Sequence, residues 1–121
     1  MVCRLVRLES GHEVAEIKYP YIQNITEQAA ACRNISRIVL FGSSTGERCR
    51  EDSDIDIAVF GSLGKNRYLK SAEFRDFQRR LFAFDPVQDY DILYFPEDCC
   101  DQSRIMQDIG KGAEIYRRAA Q

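Results

Sequence analysis

The apolar positions alternate between helical and strand spacing along the chain. Ile22, Ile25, Ala29 and Cys32 recur at i, i+3, i+7 and i+10, which predicts one face of a helix beginning after Pro20 and ending near Arg33-Asn34. Ile38-Val39-Leu40-Phe41 is a short branched apolar run stopped by Gly42, the pattern of a buried strand. Residues 42–53 are rich in Gly, Ser, Arg, Glu and Asp and read as a loop. Ile55, Ile57 and Val59 then alternate with Asp54, Asp56 and Ala58, so the next strand has one apolar and one acidic face. Gly61 and Gly64 bracket a turn, and Phe74, Phe77, Leu81 and Phe84 return to helical spacing in a charged stretch from about Asn66, broken at Asp85-Pro86. Residues 90–95 predict a third strand closed by Pro96. The tail from Ser103 predicts a short helix, a turn at 110–112 and a last strand or helix at 113–116. The order helix, strand, strand, helix, strand predicts an α/β (α+β) layer, with helices packed on a small mixed sheet. Periodicity does not say which strands run parallel.

Length and composition narrow the class. A chain of 121 residues fits one domain, 1–121, large enough to bury a core without staples. Lys and Arg number 17 against 19 Asp and Glu, so the balanced charge gives no general pull on phosphate backbones, and no sequence-specific nucleic acid is expected as a partner. No apolar run reaches the roughly 18 residues of a membrane span. Residues 1–8 are apolar but broken by arginines and lack a secretory core, so no membrane partner and a cytoplasmic location are expected. Cys3, Cys32, Cys49, Cys99 and Cys100 contain no C-x-x-C and one adjacent pair, which is neither a disulfide framework nor a zinc site. Reduced thiols are expected, with a Cys99-Cys100 redox switch as the alternative. His12 is the one histidine, far from any nucleophile elbow.

The chemistry concentrates in two places. Residues two apart on a strand point the same way, so Asp54 and Asp56 share the face opposite Ile55 and Ile57. Two such carboxylates repel and call for a proton or a cation. Magnesium suits them: it takes one or two carboxylates and completes its shell with phosphate oxygens and water. Gly42-Ser43, ten residues earlier, ends the preceding strand. Glycine lets the backbone approach a ligand closely, and Ser43 offers a hydroxyl and an N–H to phosphate. Phosphate donors at one strand end and metal ligands at the next suit in-line displacement at phosphorus. Asp91, mid-strand between Tyr90 and Ile92, is the candidate third carboxylate of a two-metal site, and Asp89 on the same face is the fallback. Asp52 and Ser53 read as turn residues.

Phe41-Gly42-Ser43-Ser44, then Ser53-Asp54-Ile55-Asp56-Ile57-Ala58-Val59, resembles the nucleotidyltransferase superfamily that includes DNA polymerase β, and within it the minimal MNT-type proteins. Their signature is G-S, ten residues, D-x-D and a later strand aspartate. A looser resemblance runs from Ile22 to Tyr116. It implies the polymerase β-like fold, with Gly42 and Ser43 holding triphosphate oxygens. It implies that Asp54 and Asp56 bind Mg2+, with two ions expected and Mn2+ as a substitute. Asp91 would bind the metal nearest the attacking hydroxyl and help activate it. Many relatives carry arginines after G-S; Ser44, Thr45 and Gly46 stand there instead, and Arg48 and Arg50 follow. Minimal relatives are paired with HEPN-domain proteins. The resemblance therefore implies an antitoxin that moves AMP from ATP onto a tyrosine of a HEPN ribonuclease toxin. Two other readings stand beside it: a stand-alone homodimer modifying a small hydroxylated molecule, and a catalytically weak binding antitoxin. The acceptor rim is expected in the 44–52 loop with Arg48 and Arg50, and in the 61–68 turn with Lys65, Arg67 and Tyr68.

Overall fold

The computed structural model describes residues 2–99 and 103–119. Its centre is a four-stranded sheet in the order β5-β4-β3-β6, with β3 at Ile35–Phe41, β4 at Ile55–Gly61, β5 at Tyr90–Pro96 and β6 at Ala113–Arg117. β3 runs antiparallel to both β4 and β6, while β4 and β5 are parallel. The sheet is therefore mixed, as the element order predicts.

The strand alternation builds two cores. Ile38, Leu40, Ile55, Ile57 and Val59 face α1 (Tyr19–Ala30) and α3 (Ala72–Phe84), whose Ile22, Ile25, Ala29, Phe74, Phe77 and Leu81 fill the main core. Val39, Phe41, Ala58 and Phe60 point the other way, where Ile109 of α4 (Arg104–Gly110) and Met106 cover them. The face of β4 opposite Ile57 is thus acidic only at its start and apolar further on. That change places Asp56 at the boundary between solvent and core.

Several expectations change in detail. Pro20 lies in the first turn of α1, where a missing N–H costs nothing, and the helix ends at Ala30, before Arg33-Asn34. Gly61 is the last residue of β4 and not a turn: a side chain there would overlap the Asn34 carbonyl. The helical stretch from Asn66 is two helices, α2 (Lys65–Leu69) and α3, because Ser71 caps α3 by accepting from the Phe74 N–H. Phe84 ends α3 half-exposed and meets Tyr21 edge-on, with centroids 5.6 Å apart. The segment at 113–116 is strand. An N-terminal hairpin, β1 (Leu5–Arg7) with β2 (Glu13–Ala15), had no predicted counterpart; its Val14 enters the main core. Among the described residues no helix is long and apolar enough to cross a membrane.

Candidate active site

Strand β3 delivers the chain to Gly42, whose φ of +77° turns it sharply into a short 3-10 turn, Gly42–Thr45. The Thr45 hydroxyl donates to the Gly42 carbonyl at 2.8 Å and closes the turn. Phe41 pairs with Asp56 across the antiparallel β3–β4 ladder, so this corner lands on the Asp56 carboxylate. A Cβ at residue 42 would overlap Asp56 Oδ2. The left-handed backbone calls for glycine, and a side chain there would also push the Asp56 carboxylate aside. Ser43 is exposed beside it. Ser44 is fully buried and does not line the groove.

Asp54 is exposed one residue ahead of β4, and Asp56 is half-buried on it. Asp91 is the register partner of Asp56 on β5. Burial raises the Asp56 pKa above the ordinary carboxylate range, and the charges of Asp91 and then Asp54 push it further up. Asp54 and Asp91 thus lie near enough for their charges to act on Asp56. Asp89 lies ahead of β5, and its carbonyl accepts the Ile55 N–H at 3.0 Å, so that residue ties the two strands together through its backbone.

A groove of about 380 Å3 opens over this corner, lined by Gly42, Thr45, Asp56, Asp108 and Lys111 among others. Lys111, absent from the sequence-based site, brings a cation to the same groove as Asp56 from the turn between α4 and β6. Its only sequence signal is its place between Gly110 and Gly112. A larger cleft of about 460 Å3 between the hairpin, α1 and β6 contains none of the three acids. Chemistry, not size, therefore selects the smaller groove.

The donor set fits a hard divalent cation. Among the described residues no three acidic, histidine or cysteine side chains close a metal nest by themselves. Magnesium does not need one, because it usually keeps several waters and takes substrate phosphate oxygens. At residue 42 the Asp56 carboxylate packs into the space a side chain would take, so the glycine corner and this carboxylate lie against each other.

The remaining candidates lie outside this cluster. Arg48, Arg50, Lys65 and Arg67 are exposed. Tyr68 is fully buried, stacked on Tyr94 at 4.5 Å, and so forms no part of a rim. Cys32 and Cys49 are buried, Cys3 and Cys99 half-buried, and all four are free thiols. Cys100 lies outside the described residues, and with it the test of a Cys99-Cys100 pair. His12 is exposed on the hairpin.

A comparison with curated protein sequences finds no significant match. In the solved structures, the chain resembles one of a tri-AMPylated Shewanella oneidensis HEPN toxin in complex with MNT antitoxin. The TM-score is 0.56 at 17% identity, covering 84% of this chain and 73% of that one. At that identity the likeness speaks for the fold. The family model described as polymerase beta, nucleotidyltransferase matches residues 22–119, which span the glycine corner, all three acids and Lys111. The chain belongs to the polymerase β nucleotidyltransferase family.

Proposed function

We propose that this protein transfers AMP from ATP to a tyrosine hydroxyl of a HEPN-domain ribonuclease and acts as that toxin's antitoxin. The observation that carries the reading is the meeting of Asp56 with Asp91 and with the Gly42 corner. Asp54, Asp56 and Asp91 would hold Mg2+. The ion, when bound, would neutralise charge on the reacting phosphate and lower the pKa of the attacking hydroxyl. The Gly42–Thr45 turn and Ser43 bind triphosphate oxygens, and Lys111 steadies the phosphate chain in the groove. Asp91, exposed on the edge strand β5, takes the hydroxyl proton. The acceptor oxygen bonds to the α-phosphorus while the bond to the pyrophosphate oxygen breaks.

The AMPylated HEPN toxin in the similar complex supports a protein acceptor of this kind. The test is mass spectrometry of a HEPN protein encoded beside this chain, after co-expression. One or more AMP additions on tyrosine, absent with Asp54→Asn, are expected. A tight complex without modification would instead favour a binding antitoxin, and transfer only to small molecules a stand-alone enzyme.

A further inference from the structure

Lys18 has no role in the chemistry above, yet it is 1% exposed. An ammonium group is costly to bury, so its partners are informative. Nζ donates to the Glu51 carbonyl at 2.9 Å and to Gln88 Oε1 at 2.6 Å, and it lies 5.5 Å from the centre of the Tyr21 ring. Gln88, itself buried, donates through Nε2 to the Ser53 carbonyl at 3.0 Å and the Asp89 carbonyl at 2.7 Å. Two side chains thus join the 3-10 turn before α1 to the segments that lead into β4 and β5. Asp54 lies on the first of those segments, and Asp56 and Asp91 lie near the starts of the strands they lead into. The charges that act on Lys18 include Asp52, Asp54 and Asp85.

We propose that Lys18 and Gln88 are positioning residues for the acidic cluster. The pair fixes where β4 and β5 begin relative to each other and places the Lys18 side chain behind Asp54. Asp54, Asp56 and Asp91 then meet at the metal–triphosphate without moving. A Leu or Met pair would fill the same space with less desolvation, but it would leave the Glu51 and Ser53 carbonyls without these donors and the acids without the amine beside them. The inference rests on the metal-dependent reading above.

The test measures Mn2+ binding by electron paramagnetic resonance, with a non-hydrolysable ATP analogue present, alongside circular dichroism and melting. The variants are Lys18→Met and Gln88→Met. Ile25→Val, a core change in α1 away from the clamp, controls for lost stability. Both clamp variants are expected to keep wild-type circular dichroism and to bind Mn2+ roughly 10- to 100-fold more weakly, as when groups that orient metal ligands are removed. Ile25→Val is expected to melt lower with unchanged affinity. Folded clamp variants with wild-type affinity overturn the proposal; if Lys18→Met does not fold, Gln88→Met decides it. Failure of the wild-type chain to bind Mn2+ and analogue would instead sink the metal-dependent function itself.

Discussion

Asp91 stands opposite Asp56 in the parallel β4–β5 pair, so two strands bring acid positions side by side at the sheet's edge. Antiparallel pairing of β3 with β4 adds the Gly42 corner to the same spot. One parallel and one antiparallel pairing thus assemble the site from three strand ends.

The first prediction concerns the cost of that crowding. The Asp56 pKa is raised in the folded chain, so the native state holds the proton more tightly than the unfolded state does. The stability this gives is full below the ordinary value of 3.8 and is lost as pH rises through the raised folded value. Above that window, in metal-free buffer, Asp56→Asn should melt higher than wild type, and the difference should shrink as the pH falls to about 3. With Mn2+ and triphosphate the order should reverse, because only the wild type gains binding energy. Melting curves across pH, with and without metal, check both signs.

The second prediction separates the two acids of the β5 segment. Asp91→Asn should lower kcat about 100-fold or more while triphosphate affinity changes little, since a group that takes the hydroxyl proton acts in the transition state. Asp89 contributes its backbone carbonyl to Ile55, so Asp89→Asn should keep near-normal turnover. Steady-state kinetics of both variants decide it, and the opposite pattern would move the role to Asp89.

The third prediction uses two glycines with left-handed backbones. Gly11 has φ of +91° with open space around its missing side chain, whereas Gly42 has φ of +77° and abuts Asp56. Gly11→Ala should cost about 1–2 kcal/mol from backbone strain alone and leave metal binding intact. Gly42→Ala should cost more and should also abolish metal-dependent triphosphate binding. Denaturant unfolding with Mn2+ titration compares them.

Much of this was legible because local period and local chemistry coincide. The α1 face, the Ile55-Ile57-Val59 alternation and the G-S to D-x-D spacing each report a local geometry that the fold keeps. What stayed hidden depends on distant partners. The β1 and β2 strands are three residues each and too short to show a period. Strand direction leaves no mark on alternation, so the Asp56–Asp91 register could not be read. Tyr68 sits among charged residues and reads as surface, yet the five-residue α2 turns it onto Tyr94. Lys18 looks like any surface lysine until Glu51 and Gln88 close around it.

The last prediction follows from Lys111. Asp56 and Asp108 line the groove, and a triphosphate would bring more negative charge to it. Metal offsets part of that charge, but the phosphates farthest from Asp56 need a cation of their own. Lys111 lines the groove, held by a turn whose Gly112 N–H donates to the Ile109 carbonyl at 2.9 Å. Gly112 itself packs against the Leu40 carbonyl, which anchors this turn to β3 next to the glycine corner. The lysine is exposed, so its removal should leave folding intact. Lys111→Ala should therefore raise KM for the triphosphate about tenfold, in line with a loss of one charge-assisted hydrogen bond, with a smaller change in kcat. Lys111→Arg should recover most of the affinity because it keeps the charge. Raising salt should weaken the wild type more than Lys111→Ala, since screening acts on the contact that the variant lacks. KM measured for the three proteins at low and high salt tests this; equal salt sensitivity and unchanged KM in Lys111→Ala would remove Lys111 from the phosphate site.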